Sequence, residues 1–475
     1  MAILHGKENM LNFRIFKIPF TALLCSLILI GCSKEDQEPP VLLDPEVSSD
    51  NTPGTTFKVN GIEYYYISEN ACGISVNPYL KGEVYIPDKV GSYKIIEVGD
   101  HAFDGNEITS ISLPASIQSI GKSAFENCTK LKELDFQQLQ KLQSIGENAF
   151  KNSGLNSIEL QKSVNSIGAG AFENTKLKNV DFQNLKNLQT IKENTFKGSN
   201  IEKLLLPESI KDIEKSAFEN CNKLSEVNFQ NLTNLQIIKH SAFFNTRVYD
   251  LNLSNLTKLE TIEDFAFANS KSSNLYLNNC TALKVIGKNA FENNALNKIE
   301  WSNCKALTTI GSEAFKSIGV NTGCVIDFSP LVSLTKVGDG AFRESNITSP
   351  HFSVQGLGQY AIDLSQCKSL KEIPAYFMYK TCHTTSHMEF NIILPPSITK
   401  IHEMAFASTS HSIGKNTNHL VCLATTPPEA ASNSLYLGKS PSGNIEYQYN
   451  IYVPVASLSS YRLHSFWKQL IIWGF

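Results

Sequence analysis

Leu113-Pro114-Ala115-Ser116-Ile117-Gln118-Ser119-Ile120-Gly121-Lys122-Ser123-Ala124-Phe125-Glu126-Asn127-Cys128 decides the fold, because the chain keeps returning to it. Its anchor is the Ala-Phe pair. The anchor stands at Phe103, Phe125, Phe150, Phe172, Phe196, Phe218, Phe243, Phe267, Phe291, Phe315, Phe342, Phe377 and Phe406, with Thr195 and Tyr376 replacing the usual Ala. Successive spacings are 22, 25, 22, 24, 22, 25, 24, 24, 24, 27, 35 and 29 residues. A period of 20–30 residues means one small unit stacked on copies of itself.

The uneven spacing has a simple origin. A strand-like segment starts five residues after the anchor (Phe150 to Leu155) or six (Phe125 to Leu131). The return is short, as from Leu113 to Ile120, or two residues longer, as through Phe136, Leu139, Leu142 and Ile145. Two loop lengths at each of two places account for the first seven spacings. The strand segment reads L-x-x-[LIV]-x-[LF], as in Leu131, Leu134, Phe136 and Leu177, Val180, Phe182. Alternation sends its apolar side chains inward and the intervening ones outward. Stacked strands then form a parallel sheet with a spacing of about 4.8 Å. The expected fold is a repeat solenoid, mostly β and turns, of about thirteen coils.

The expected organisation has five parts. Residues 1–31 form a signal peptide. Arg14 and Lys17 precede an apolar run, Ile18 to Ile30, too short to span a bilayer comfortably. Met10 is an alternative start. Residues 32–54 form a tether: after Cys32, residues 33–54 carry Lys34 against six acids and four prolines, too little apolar surface to fold. Residues 55–100 form an N-terminal β cap, with Asn60-Gly61 supplying a type I′ hairpin turn. The solenoid occupies 101–415. Residues 416–475, where the anchor gives way to Thr426-Pro427-Pro428 and Ile451-Tyr452-Val453-Pro454, form a C-terminal cap.

The unit resembles the BspA-like, or Treponema-type, leucine-rich repeat found in surface lipoproteins of Bacteroidetes. That repeat is approximately L-P-x-S-[IV]-x-x-I-G-x-x-A-F-x-x-C, and Leu113 to Cys128 matches it through one whole unit. The longer returns are similar to a neighbouring dialect, as in Leu275-x-Leu277-x-x-Cys280-x-x-Leu283. The resemblance runs from about residue 55 to the C-terminus. It implies a curved solenoid with its parallel sheet on the concave face. It also implies a cell-surface protein that binds host proteins, matrix or other bacteria. Leu29-Ile30-Gly31-Cys32 resembles a bacterial lipobox, which implies lipid on Cys32 and an outer-membrane anchor. Ser33-Lys34-Glu35-Asp36 resembles a surface-export signal; a solvated linker explains it equally well.

Formal net charge is −3, from 42 Lys and Arg against 45 Asp and Glu. No basic stripe exists to neutralise phosphates, so nucleic acid is not an expected partner. No catalytic residues, cofactor or metal are expected. His402-Glu403-Met404-Ala405-Phe406 starts like a zincin helix but has Phe where the second His belongs, and Gly356 to Ala361 imitates a dinucleotide loop without strand or helix. Cys382-His383 and His387, with His402, His411, His419 and Cys422 nearby, follow no strong zinc spacing. Cys280 and Cys304 fall on adjacent coils; a disulfide is one reading and a ladder of buried thiols the other.

One outward position repeats down the strands: Ser112, Asp135, Glu159, Asp181, Leu205, Asn228, Asn252, Tyr276, Glu300, Asp327, Asp363 and Ile393. Six of the twelve are acidic, in two runs of three. In register, such carboxylates lie about 5 Å apart and repel. One reading is solvated acids relieved by Lys203 and Lys298. The other is a concave patch for a basic or cation-bridged partner, made by Asp135, Glu159, Asp181, Glu300, Asp327 and Asp363. The irregular stretch Ser345 to Tyr360 is a further place for recognition. The expected function is therefore non-enzymatic surface binding of a protein partner. The alternative is a glycan-binding accessory of a surface nutrient-uptake system, which calls for exposed aromatic platforms.

Overall fold

Each anchor Phe from Phe103 to Phe342 sits between two residues of left-handed backbone, two before it and two after. Around Phe125 these are Ser123 (φ 51°) and Asn127 (φ 59°); around Phe150 they are Asn148 (53°) and Asn152 (57°). The pair recurs coil after coil in the computed structural model, which describes residues 52–320, 323–348, 361–381, 391–407, 418–435 and 449–475. Left-handed backbone crowds Cβ against the next carbonyl, which explains why Asn, Ser and Gly dominate both positions. The asparagines also bond to each other. Asn152 Nδ2 donates to Asn127 Oδ1 at 3.0 Å and Asn174 Nδ2 to Asn152 Oδ1 at 3.0 Å. One residue type thus makes the turn and stitches it to the next coil.

This double turn drives the Phe ring into the centre. From Phe103 to Phe342 eleven anchor rings stack in one file, with centroids 5.0–5.6 Å apart and planes within 3–18° of parallel. All are buried. The carbonyl of the residue before the anchor bonds back to the preceding coil: Phe125 N–H donates to Ala149 O at 2.7 Å, and Phe150 N–H to Ala171 O at 2.8 Å.

The same bond corrects the sequence reading of the twelfth anchor. Phe342 N–H donates to Phe377 O, and Met378 N–H donates to Ala405 O. Phe377 therefore occupies the Ala slot and Met378 the anchor slot. The left-handed residues agree, since Tyr376 (φ 55°) and Lys380 (φ 56°) flank Met378 symmetrically. The file of parallel rings ends here: Phe377 meets Phe342 at 89°. Sequence spacing alone aligned the wrong aromatic, because a flexible Met can fill the anchor site.

The coils build a parallel β-solenoid of about fifteen turns, nearly all sheet and turn. Two parallel stacks run along it. One holds the expected strands, including Asn179–Asp181, Lys203–Leu205, Asp250–Asn252, Asn274–Tyr276 and Lys298–Glu300. The other was not read from the sequence. It is made of two-residue strands at the end of each return, such as Thr190–Ile191, Asp212–Ile213, Ile237–Ile238 and Thr261–Ile262, paired in register. Two residues are too few to show an alternation, so periodicity could not reveal them. The first stack also has a gap: Leu155 to Leu160 forms no strand, although Leu155, Ile158 and Leu160 are buried as expected.

At the N-terminal side, Thr56–Val59 and Ile62–Ser68 pair antiparallel through Asn60 (φ 50°) and Gly61 (φ 82°). Ala71–Ile74 then joins this hairpin to the parallel strand Tyr93–Val98. At the other side the short helix Leu458–Leu463 packs beside the last strand, Ile471–Gly474. Tyr461 OH donates to Ala424 O at 2.8 Å and Trp467 Nε1 to Pro428 O at 2.8 Å, so both buried rings have their polar atoms satisfied.

Candidate functional site

The outward position of the first stack is set by strand register. Asp181 pairs with Leu205, and Asn252 with Tyr276, which pairs with Glu300. Lys298↔Val325 and Ile299↔Ile326 continue that ladder, which places Asp327 beside Glu300. These side chains do form a column. The other acids join it less closely. Glu159 lies in the strandless segment. Asp363 belongs to a strand, Ala361–Asp363, that pairs forward with Asn391–Leu394, while Ile347–Thr348 pairs back with Cys324–Ile326. The interval 349–360, which holds most of the irregular stretch and the Gly356 motif, lies outside the described residues. So do Cys32, the leader, Cys382, His383, His387 and His411.

The acids have a structural task as well as a charge. Asp135 Oδ1 accepts from Gln137 N–H at 3.0 Å, Asp181 from Gln183 at 3.0 Å, Asp327 from Ser329 at 2.9 Å and Asp363 from Ser365 at 2.8 Å. Asn252 Oδ1 does the same for Ser254 at 3.1 Å. Each closes a turn at the end of its strand, which is why Asp and Asn alternate there. The bond fixes the carboxylate's direction and occupies only one of its two oxygens. Sequence reading saw the acids but not the turn they close; the signal was the Asp/Asn exchange at one register.

Relief of the charge is partial. Lys298 Nζ pairs with Glu300, and Asn278 Nδ2 donates to the same carboxylate at 2.6 Å. Those bonds hold the Glu300 carboxyl below its ordinary value, against some burial. Lys203 relieves none of the six acids: it pairs with Glu226 on the adjacent coil at 2.6 Å. Asp135, Asp181 and Asp327 are exposed.

Four of the eight described cysteines are donors. Cys128 Sγ donates to Phe103 O at 2.9 Å and Cys221 Sγ to Phe196 O at 3.0 Å. At the same register, Ser345 Oγ donates to Phe315 O at 2.7 Å and Asn294 Nδ2 to Phe267 O at 2.8 Å. Cys in A-F-x-x-C is thus one of several side chains that satisfy the preceding anchor's carbonyl. Cys280 and Cys304 are free thiols, donating to Leu253 O at 3.1 Å and Leu277 O at 3.0 Å. The ladder reading holds for them and the disulfide reading does not. Burial pushes the Cys280 thiol up to about 12 and Cys304 to about 11. Such thiols are poor nucleophiles. Among the described residues no three His, Cys, Asp or Glu side chains are grouped to hold a metal; His402 pairs with Glu372 at 2.8 Å instead.

A family model described as "BspA type Leucine rich repeat region (6 copies)" matches residues 96–225, 143–274, 237–371 and 284–413. The chain belongs to the BspA-type leucine-rich-repeat family. Proteins of this family are typically found at the cell surface. Among the described residues no helix is long and apolar enough to cross a membrane. No curated protein matches the chain. Among solved structures it is similar to a leucine-rich repeat protein from Bacteroides ovatus, at 19% identity over 88% of this chain and 99% of that one, with a TM-score of 0.47. It is also similar to the pneumococcal vaccine antigen PcpA, at 19% identity over 89% and 99%, with a TM-score of 0.48. A leucine-rich cell surface protein from Faecalibacterium prausnitzii shares 18% identity over 80% and 92%, with a TM-score of 0.36.

Proposed function

We propose that this chain is a surface-displayed binding protein with no reaction of its own. It presents the outward positions of its first strand stack to a protein partner on host cells, matrix or other bacteria. The observation that carries this is the column Asn252–Tyr276–Glu300–Asp327, continued in kind by Asp135, Asp181 and Asp363. Turn-closing bonds orient four of its carboxylates while leaving one oxygen of each for a partner. Preoriented acids favour a partner with Lys or Arg, or one bridged by a cation, because little side-chain entropy is lost on contact. Glu159 completes the set from the strandless segment. Cys280 and Cys304, buried and with their thiols pushed up, are structural rather than reactive.

Attachment is proposed through lipid on Cys32, which places the protein on the outer membrane with residues 33–54 as spacer. Replacing Cys32 with Ala should release the chain from membranes, and unchanged fractionation would contradict the anchor. Protease shaving of intact cells tests display separately. The function itself is tested by screening matrix proteins and bacterial cells against the full chain, with an unrelated lipoprotein as control. Binding above control is expected; none above it removes the proposal.

A further inference from the structure

Beyond Asp363 the outward registers lose their acids: Asn391 and Ile393, then His419 and Val421, stand there and are buried, and exposed side chains return on the last strand. At the two outward registers of the earlier coils stand Asn179 and Asp181, Lys203 and Leu205, Asp250 and Asn252, Asn274 and Tyr276, Lys298 and Glu300. Most are charged or amide side chains. On Tyr449–Val453 and Ile471–Gly474 the same registers hold Asn450 and Tyr452, then Ile471 and Trp473. None is ionised at neutral pH. Tyr452 pairs with Trp473, so the two aromatics sit side by side on neighbouring strands about 4.8 Å apart. Tyr452 leans on the His419 ring, at 5.5 Å and 41°. Ile472 between them is buried, while Ile471 is 63% and Trp473 54% exposed. Natural sheets commonly place charge on a terminal strand to discourage pairing. Here the terminal strand instead offers Trp, and the adjoining one offers Tyr with an amide.

We infer that this end of the sheet, Asn450, Tyr452, Ile471 and Trp473, is a platform for an uncharged glycan. Sugar rings present a C–H face that packs on an aromatic plane, and hydroxyls that an amide and a phenol can bond. The neutrality of the four side chains matches a ligand without phosphate, sulfate or carboxylate. Two aromatics in register suit successive sugar units, whereas the acidic column nearer the N-terminus suits basic protein surface. This site continues the register of Asp363, with Tyr452 three strands further on, but uses none of the six acids, so either can fail alone.

The protein carries its own reporter. Of three tryptophans, Trp301 and Trp467 are buried at 1% and 0% exposure, so Trp473 dominates the response to an external quencher. The full chain in detergent micelles is run on native gels containing glycogen, dextran or galactomannan, and separately heparin. The same polysaccharides are added during acrylamide quenching of tryptophan emission. At least one neutral polysaccharide should retard the protein and protect Trp473 from acrylamide. Trp473→Ala should weaken retardation about tenfold, roughly the loss of one aromatic contact, Tyr452→Ala should weaken it too, and Trp473→Phe should retain it. Should Trp473→Ala fail to fold, Tyr452→Ala and the quenching of the unaltered chain still decide the matter. The inference is overturned if no neutral polysaccharide retards the chain or protects Trp473. It is equally overturned if heparin alone does so, or if Trp473 proves necessary for capture of a protein and for no glycan.

Discussion

Removing one ring from the middle of the phenylalanine file should cost more than removing one from its start. Phe218 is fully buried, with Phe196 at 5.4 Å and 4° on one side and Phe243 at 5.0 Å and 14° on the other. Phe103 is also fully buried but stacks on one anchor ring only, Phe125, at 5.1 Å and 18°. Truncating a buried Phe to Ala costs about 3–5 kcal/mol through lost transfer energy and the cavity left behind. One aromatic pair adds about 0.5–1.5 kcal/mol. Phe218→Ala should therefore lose about 3–5 kcal/mol, and Phe103→Ala about 0.5–1.5 kcal/mol less. A solenoid contacts only its neighbours, so the central loss also separates two halves that would otherwise support each other. Guanidinium unfolding followed by far-UV circular dichroism measures both, with the slope compared to show that the unfolded reference is unchanged. A Phe218→Ala loss under about 1 kcal/mol, or a larger loss for Phe103→Ala, would refute the view that stacked anchors hold the coils together.

Other perturbations test the remaining joints. A Cβ on Gly146 would lie 2.5 Å from the Gly121 carbonyl carbon, so Gly146→Ala should lose about 1–3 kcal/mol in the same denaturation assay. Asn152→Ala should lose more than Asn152→Gly, because glycine keeps the left-handed backbone and gives up only the cross-coil bonds. Cys221→Ser should be nearly neutral, while Cys221→Ala leaves the Phe196 carbonyl without its thiol donor and costs about 1 kcal/mol; native protein should resist alkylation at pH 8 and react fully once unfolded. The Glu300 carboxyl is held low in the folded state by Lys298. Its pair thus stabilises above the carboxyl's unfolded pKa, and that contribution vanishes as pH falls through the lower folded one. Lys298→Met should move the Glu300 titration midpoint upward by NMR, and an unmoved midpoint would show that the ion pair does not form in solution.

Legibility followed the length of the signal. A thirteenfold repeat anchored by Ala-Phe was plain, since each copy tests the others. The second stack was invisible because Thr190–Ile191 and its counterparts are too short to show alternation. Met378 was misaligned by one residue because a neighbouring Phe fitted the pattern better; the backbone bonds and the left-handed residues around Met378 distinguish the two. At the site, the positions of the acids were readable from register, but not the turn that orients them, which depends on a bond two residues on. Relief of the column by Lys203 was one reading, but Lys203 reaches along the stack to Glu226, outside the column. The aromatic end escaped notice because Trp473 lies beyond the last repeat, where no pattern assigned it an outward position.

Cross-linking mass spectrometry on a captured partner tests the central claim most directly. The full chain, displayed on cells, is exposed to matrix extract and treated with an amine-reactive cross-linker. The account predicts cross-links from Lys203 and Lys298, which border the acidic column, and weakened capture by a variant carrying Asp181→Asn, Glu300→Gln and Asp327→Asn. Cross-links confined to the second stack, at Lys211, Lys284 or Lys336, with capture unchanged by the triple variant, would contradict it.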